Sequence, residues 1–420
     1  MKKIVYLLAA AALTFSACHK DSEGEDGVTP ANEPKGKGDV KEALDNQKAK
    51  EQLQTYATDF LNSFKPEDQK GLIEALNTFA NICEDANLPW DEDKDEEISK
   101  KNFAGLYAKN LAEALEKKAY SKATTVNEEF VWEFKEYTGV YELKDNEWVK
   151  TSESSDIVFK YTCNGKDCEF KAVQASGKIE ETFNDGEETY KIDLPAGVTI
   201  TLTQAGSELF KTVLDVNYKS QESMKTTASV KFANLTITSD TKITNTEITD
   251  NQTVAIDGNI LIWATGSAKG TRFCDVDHFE TVSQKEEEDV DLQDYVNNFT
   301  AEVNIMGNVQ IKSEVDYAKL EGYDELKSKE EAQKICDIWN KYCIARFFFS
   351  GSDVEQGRIK FLPELTEEWR GEEYWDVNPV IYFNADNTSY AFEDYFNEDR
   401  FANTEDQCEA LWDKYEAYWK

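Results

Sequence analysis

The stretch Glu129-Phe130-Val131-Trp132-Glu133-Phe134-Lys135-Glu136-Tyr137-Thr138-Gly139-Val140-Tyr141-Glu142-Leu143 is where the chain changes its hydrophobic period. Phe130, Trp132 and Phe134 stand at every second position, Thr138-Gly139 interrupts them, and Val140, Tyr141 and Leu143 resume the apolar run. Side chains two apart on an extended chain share a face. The pattern therefore predicts an antiparallel hairpin that turns at Thr138-Gly139 and buries one face.

Similar short segments continue at 157–161, 170–173, 190–194, 198–202, 210–218, 230–237 and 259–263. Asn184-Asp185-Gly186, Pro195-Ala196-Gly197 and Asp257-Gly258 separate several of them as turns. Strand after strand without an intervening helical period implies an antiparallel meander rather than a parallel sheet. The Thr-rich stretch 236–254 reads as an edge or solvent-facing part of that sheet. The acidic run Lys285 to Asp291 reads as a solvated loop before the sheet resumes at 303–311.

On the N-terminal side the period is helical. Leu53, Tyr56, Phe60 and Phe64 form one stripe, Leu72, Ile73, Leu76 and Phe79 a second, and Phe103, Leu106, Tyr107, Leu111 and Leu115 a third. Pro66 suits the first turn of the second helix and Pro89 blocks its extension. Between the second and third lies Asp91 to Glu97, which starts like a calcium loop but has Glu96 where that loop needs Gly and Asn102 where it needs Glu. Beyond residue 324 the helical period returns in Leu326, Ala332, Ile335, Trp339, Tyr342 and Cys343, a helix expected to run on to a stop at Ser350-Gly351. Strands follow over 358–396. A last helix is expected over 404–419, with Thr404 as its cap and Cys408, Leu411, Trp412, Tyr415 and Trp419 on one side.

The predicted class is α+β: a helical segment (40–122), a large antiparallel β-meander, open or curled into a half-barrel (126–315), and a C-terminal helix-strand-helix unit packed on the sheet (316–420). Against 46 Lys and Arg the chain carries 83 Asp and Glu, for a net charge of −37. Such a surface repels phosphate backbones, which excludes a nucleic-acid partner.

Catalytic motifs are scarce. The two histidines are His19 and His278, so paired-His zinc sites and HExxH peptidases are excluded, and no GxSxG, P-loop or GxGxxG occurs. Cys274, His278 and Glu280 fall on one face if extended, but the ends of a strand diverge too far to share one ion. The sequence thus nominates no catalytic residue, metal or cofactor. Trp369, Tyr374, Trp375, Tyr382 and Tyr390, interleaved with Glu373, Asp376 and Glu393, are the candidate ligand-binding residues: aromatic faces for stacking on a sugar and carboxylates for its hydroxyls. The competing reading makes these aromatics part of a core. Eight cysteines are too few for a disulfide scaffold. Cys163 and Cys168, flanking the turn Asn164-Gly165, are the one pair spaced to face each other across a hairpin as a disulfide. Cys336 and Cys343, two helical turns apart, read as small core residues.

The first residues carry the remaining signal. Lys2 and Lys3 precede the apolar run Ile4 to Phe15, and Ser16-Ala17-Cys18 closes it, which marks 1–17 as a signal peptide too short to span a membrane. Phe15-Ser16-Ala17-Cys18 resembles the lipobox of bacterial lipoproteins, although Phe15 stands where that family usually carries Leu. The resemblance implies a thiol at Cys18 joined to diacylglycerol, a palmitate-type anchor, and cleavage just before it. Residues 19–39 are a Gly- and Pro-rich tether reaching on the order of 25 Å. Their acidic opening, Lys20-Asp21-Ser22-Glu23, resembles the export signal of Bacteroidota-type lipoproteins and implies the outer face of the outer membrane. The reading that follows is a surface lipoprotein that binds glycan or protein without catalysis. Its alternatives are a carbohydrate-active hydrolase using two carboxylates and a lipid-binding half-barrel carrier.

Overall fold

The computed structural model describes residues 40–85, 129–131, 134, 137–184, 189–219, 222–274, 295–320, 322–323, 325–369 and 372–419. Cys18, the tether, the stripe at 103–115, both acidic runs and His278 lie outside the described residues. Two helices come first, α1 (Asn46–Leu61) and α2 (Pro66–Asp85). The strands then run β1 (Glu129–Val131), β2 (Gly139–Lys144), β3 (Glu147–Ser152), β4 (Ile157–Cys163), β5 (Lys166–Gln174), β6 (Lys178–Asn184), β7 (Thr189–Pro195), β8 (Gly197–Gln204), β9 (Ser207–Lys219), β10 (Ser223–Phe232) and β11 (Leu235–Thr244). β12 (Glu247–Ile256), β13 (Asn259–Gly270), β14 (Val296–Ile305) and β15 (Val309–Asp316) lead to α3 (Lys329–Tyr342). β16 (Cys343–Phe349), β17 (Glu355–Trp369), β18 (Glu372–Phe383), β19 (Ser389–Ala391), α4 (Phe392–Tyr395) and α5 (Glu398–Trp419) complete the chain. The class is α+β with an open, mostly antiparallel meander, as the sequence predicts. No described helix is long and apolar enough to cross a membrane.

Contacts divide the described chain into two units, one built mainly from 65–245 and the other from 40–64, 246–273 and 295–413. In the 65–245 unit the strand order is β11-β10-β9-β8-β5-β4-β2-β3, antiparallel except for the parallel pair β2 and β4, with a small separate sheet β1-β7-β6. Hairpin chemistry explains part of this. Asn164 and Gly165 both adopt positive φ, the geometry of a two-residue turn joining β4 to β5. Helix α2 begins at Pro66 with Glu67 and Asp68 in its first turn, where carboxylates suit the helix dipole. Its Leu72 and Ala75 sit in a core with Tyr141, Trp148, Phe159, Phe170 and Leu202. Phe79 stacks on Phe170 with ring centroids 4.8 Å apart.

The hairpin expected over 129–143 does not form. β1 pairs in parallel with β7, while β2 starts at Gly139 and pairs with β3 and β4. Phe134 and Tyr137 drop into the core between them, and the Tyr141 hydroxyl donates to the Tyr137 carbonyl at 2.9 Å. The two halves of the alternating stretch thus find separate partners.

In the 246–413 unit the order is β19-β18-β17-β16-β15-β14-β13-β12, all antiparallel. Strands β16 to β18 thus extend the ladder from β15 rather than lying on top of it. Residues 343–349, expected as the end of a helix, are strand β16: the α3 register stops at Tyr342, and Phe347 and Phe349 turn to the apolar face opposite Ile311 and Val309. Cys343 therefore belongs to a strand, whereas Cys336 stays on α3 and is fully buried. Helix α5 starts six residues earlier than expected. Asn397 accepts from the Arg400 amide at 2.9 Å and caps it, so Thr404 lies inside the helix, buried, with its hydroxyl unpartnered. Trp412 leaves the expected apolar side and is 70% exposed.

Chain 40–46 is fastened to this unit by polar contacts. Asp386 accepts from the Asn46 backbone at 2.9 Å, the Asn46 side chain at 2.8 Å, and the Thr388 backbone and hydroxyl at 3.0 and 2.7 Å. Burial would push its carboxyl up, but these hydrogen bonds outweigh burial and bring it down to about 2. The folded value lies below the ordinary 3.8, so its stabilisation is complete above that range and is lost as pH falls through about 2. We expect Asp386→Asn to cost about 1 kcal/mol at neutral pH. In thermal unfolding between pH 5 and pH 2, the variant should show a shallower acid loss than the wild type.

Candidate functional site

Of the five aromatics nominated by the sequence, the four whose side chains are described do not meet. Trp375 packs against the cluster of Leu326, Ala332, Cys336, Phe361 and Val377 beneath α3, and its indole donates to Glu373 at 2.9 Å. Tyr390 packs against a second cluster, next to Tyr395 and Phe383, with the Arg400 guanidinium 4.7 Å from its ring. Tyr382 stands on the opposite face of β18, with the Lys360 ammonium 3.2 Å from its ring centre and its hydroxyl bonded to Asn387. Tyr374 is half-buried and eight positions from Tyr382, roughly 26 Å along the strand. The Trp369 side chain lies outside the described residues. Strand alternation explains the dispersal: residues close in sequence project to opposite faces.

The carboxylates are held by separate partners. Glu373 accepts from the Trp375 indole, and Asp376 accepts from the Tyr323 hydroxyl at 2.6 Å and the Val377 amide at 2.7 Å. Burial first, and then this carboxylate, push the Tyr323 hydroxyl up to about 12, so it holds its proton and donates it. Glu393 is exposed in the first turn of α4. Glu373 and Asp376 are thus each committed to a neighbouring side chain.

The cysteines supply no nucleophile pair. Cys163 and Cys168 are free thiols. The two-residue turn pairs Cys163 with Lys166 and Cys168 with Tyr161, so the cysteines are diagonal neighbours, about 7 to 8 Å apart, beyond ordinary bridging range. The expected disulfide is thus replaced by two buried thiols. Burial raises the thiols of Cys168, Cys274 and Cys408, and brings those of Cys336 and Cys343 up to about 11, which leaves them protonated and inert. Among the described residues, no group of three or more His, Cys, Asp or Glu is placed to hold a metal. An open depression of about 500 Å³ is lined by Lys319, Asp337, Ile338, Lys341 and Tyr342, and the two ammonium groups lie 5.3 and 4.6 Å from the Tyr342 ring.

Two outward sheet faces carry ordered polar rows instead. In the 246–413 unit, Glu302, Lys312, Arg346, Arg358 and Tyr382 are successive cross-strand partners on β14 to β18. Every cation of this row has a carboxylate beside it: Glu355 bonds Arg358 at 2.6 Å and Arg346 at 3.5 Å, and Glu302 approaches Lys312 at 3.9 Å. In the 65–245 unit, β9 to β11 bury Phe210, Leu214, Val216, Met224 and Phe232 against the core and turn the alternate side chains outward. One outward row is Thr201, Lys211, Lys231 and Thr236, the next is Val213, Ser229 and Thr238, a third is Asp215, Thr227 and Asp240, and a fourth is Asn217, Lys225 and Lys242. The odd-numbered lysines of β9 and β10 are visible in the sequence as a same-face pattern. Their alignment across strands is not, because it depends on where the turns fall.

No family model matches the sequence, and no curated protein is similar to it. A solved structure, a porin-like protein from Bacteroides vulgatus, shares 7% identity over 56% of this chain and 93% of its own, with a TM-score of 0.18. A likeness that slight carries no argument about fold or function.

Proposed function

We propose that the chain is an exported lipoprotein, anchored through Cys18 in the outer membrane and facing the cell exterior, that binds a glycan without converting it. The anchoring half of the reading is supported by the signal-peptide and lipobox pattern of residues 1–18. The binding half is carried by one observation: the outward face of β8 to β11 is a ladder of hydroxyl, amide, ammonium and carboxylate groups, with Asn217, Thr227, Lys225 and Lys231 exposed. Strands hold these groups at fixed spacings, so a repeating, hydroxyl-rich ligand can meet several of them without reordering the protein. Side chains fill the inner face of this unit against α2, where a lipid carrier would need space.

The test has two parts. A mass spectrum of the mature N-terminus should show acylated Cys18, and an unacylated N-terminus at another residue would end the anchoring reading. On a glycan array the full chain should retain at least one polysaccharide, and Thr236→Val, which keeps the β-branched shape but removes an outward hydroxyl, should weaken retention several-fold. Failure to retain any glycan would remove the binding reading.

A further inference from the structure

The outward face of β9 to β11 inverts the charge balance of the chain. Among its side chains are Lys211, Lys219, Lys225, Lys231 and Lys242, facing three carboxylates, Glu208, Asp215 and Asp240, in a protein whose acids outnumber its bases by 83 to 46. Two of these lysines are compensated: Lys225 pairs with Asp240 at 2.7 Å and Lys231 with Glu208 at 3.0 Å. Lys211, Lys219 and Lys242 have no ion-pair partner among the described residues.

Their placement is unfavourable in the isolated protein. Lys231 is directly opposite Lys211, and Lys225 is directly opposite Lys242. Like charges directly opposite each other on a ladder repel. An anion lying across the row would turn each repulsive pair into a two-point contact. The two lysine rows are six residues apart along β10, roughly 20 Å, and two rows lie between them: Val213, Ser229 and Thr238, then Asp215, Thr227 and Asp240, of which Asp240 is already paired with Lys225. A small anion reaches one lysine row; an extended one reaches both, passes the hydroxyls of Ser229, Thr238 and Thr227, and must place an uncharged stretch beside Asp215.

We propose that this face binds an extended anionic polysaccharide, its carboxylate or sulfate groups seated on the two lysine rows and its hydroxyls on the Ser and Thr side chains between them. The proposal rests on the glycan-binding reading above and adds the charge class and length of the ligand. Hydroxyl content favours a polysaccharide over other polyanions: Thr227, Ser229 and Thr238 between the lysines offer hydroxyl hydrogen bonds, and neither of the two intervening rows offers an aromatic anchor of the kind a protein partner uses.

The experiment uses the full chain and four probes: polygalacturonate, monomeric galacturonate, neutral dextran and phosphatidylglycerol vesicles. Polygalacturonate should bind and weaken with rising salt, and monomeric galacturonate should compete poorly. The double variant Lys211→Thr/Lys242→Thr removes one member of each opposed pair with a strand-favouring residue, so its unfolding midpoint should be unchanged or higher. Its affinity for polygalacturonate should fall about tenfold, as for the loss of exposed charge contacts in two rows. Unchanged affinity in that variant, or competition by the monomer equal to that of the polymer, overturns the proposal. Dextran binding equal to that of polygalacturonate removes the anionic class while leaving the glycan-binding reading standing; no binding of any polysaccharide removes both. Vesicle binding with the same lysine dependence and no polysaccharide binding reassigns the face to a membrane surface and also overturns it.

Discussion

Phe159→Ala is expected to destabilise the 65–245 unit by about 4 kcal/mol, near the middle of the range for removing a fully buried phenylalanine. Phe159 is 2% exposed and lies on the inner face of β4. Its ring meets Tyr141 at 5.1 Å in a stacked arrangement, Trp148 at 4.9 Å edge-on and Phe79 at 5.7 Å. Those three come from β2, β3 and α2, so a single truncation loosens the contacts by which three elements hold β4. The neighbours cannot collapse into the space, because Phe79 is already stacked on Phe170. Phe159→Leu keeps most of the volume and should cost about 1.5 kcal/mol. Denaturant unfolding gives the totals, and hydrogen exchange in β4 and α2 should lose protection in the alanine variant. A loss below about 1 kcal/mol would mean that these aromatics are not the organising contact of the unit.

The same residues show what can be read from sequence and what cannot. Period-two alternation in 129–143 announces extended chain, since alternation is a property of each strand by itself. Pairing is not: Val140 joins Val158 in a parallel register, and nothing within either segment encodes that. Turns were legible where their chemistry is specific, as at Asp257-Gly258, both with positive φ. They were illegible at 230–237, which reads as one strand but is a hairpin turning at Ala233, an alanine with φ 54°, a conformation its side chain does not favour. Strand β16 was hidden for a related reason. The apolar run follows α3 with no Gly, Pro or Asn between them, and the Cys343 amide still donates to Trp339 as the chain leaves the helix.

The candidate site was legible only in part. Trp375 and Tyr382 are near each other in sequence and chemically suited to sugars, yet one is packed under α3 and the other faces outward beside Lys360. The lysine rows came into view only with the register, because Lys211 and Lys231, or Lys225 and Lys242, become neighbours through pairing over 17 to 20 residues.

Gln356→Leu should cost about 3 kcal/mol, although it exchanges a polar side chain for an apolar one of similar size. Gln356 is 0% exposed on β17. Its carbonyl oxygen accepts from the Leu44 amide at 2.9 Å, and its amide nitrogen donates to Val354 at 3.1 Å and Glu42 at 3.5 Å. Leucine leaves an amide and two carbonyls without this partner, each a group that is costly to bury unpaired. Space beside it is tight: a Cβ on Gly357 would stand 2.2 Å from the Tyr382 carbonyl and 2.6 Å from the Phe347 ring, so the strand cannot shift to admit water. Gln356→Glu separates hydrogen bonding from volume. Its buried carboxylate can still accept from Leu44 but faces two carbonyls it cannot satisfy, which raises its own pKa. Protonation restores a donor, so this variant should regain stability between pH 7 and pH 5, above the range in which Asp386 titrates. Leucine and glutamate variants with the same pH response would show that chain 40–46 is held by shape rather than by the hydrogen bonds of Gln356.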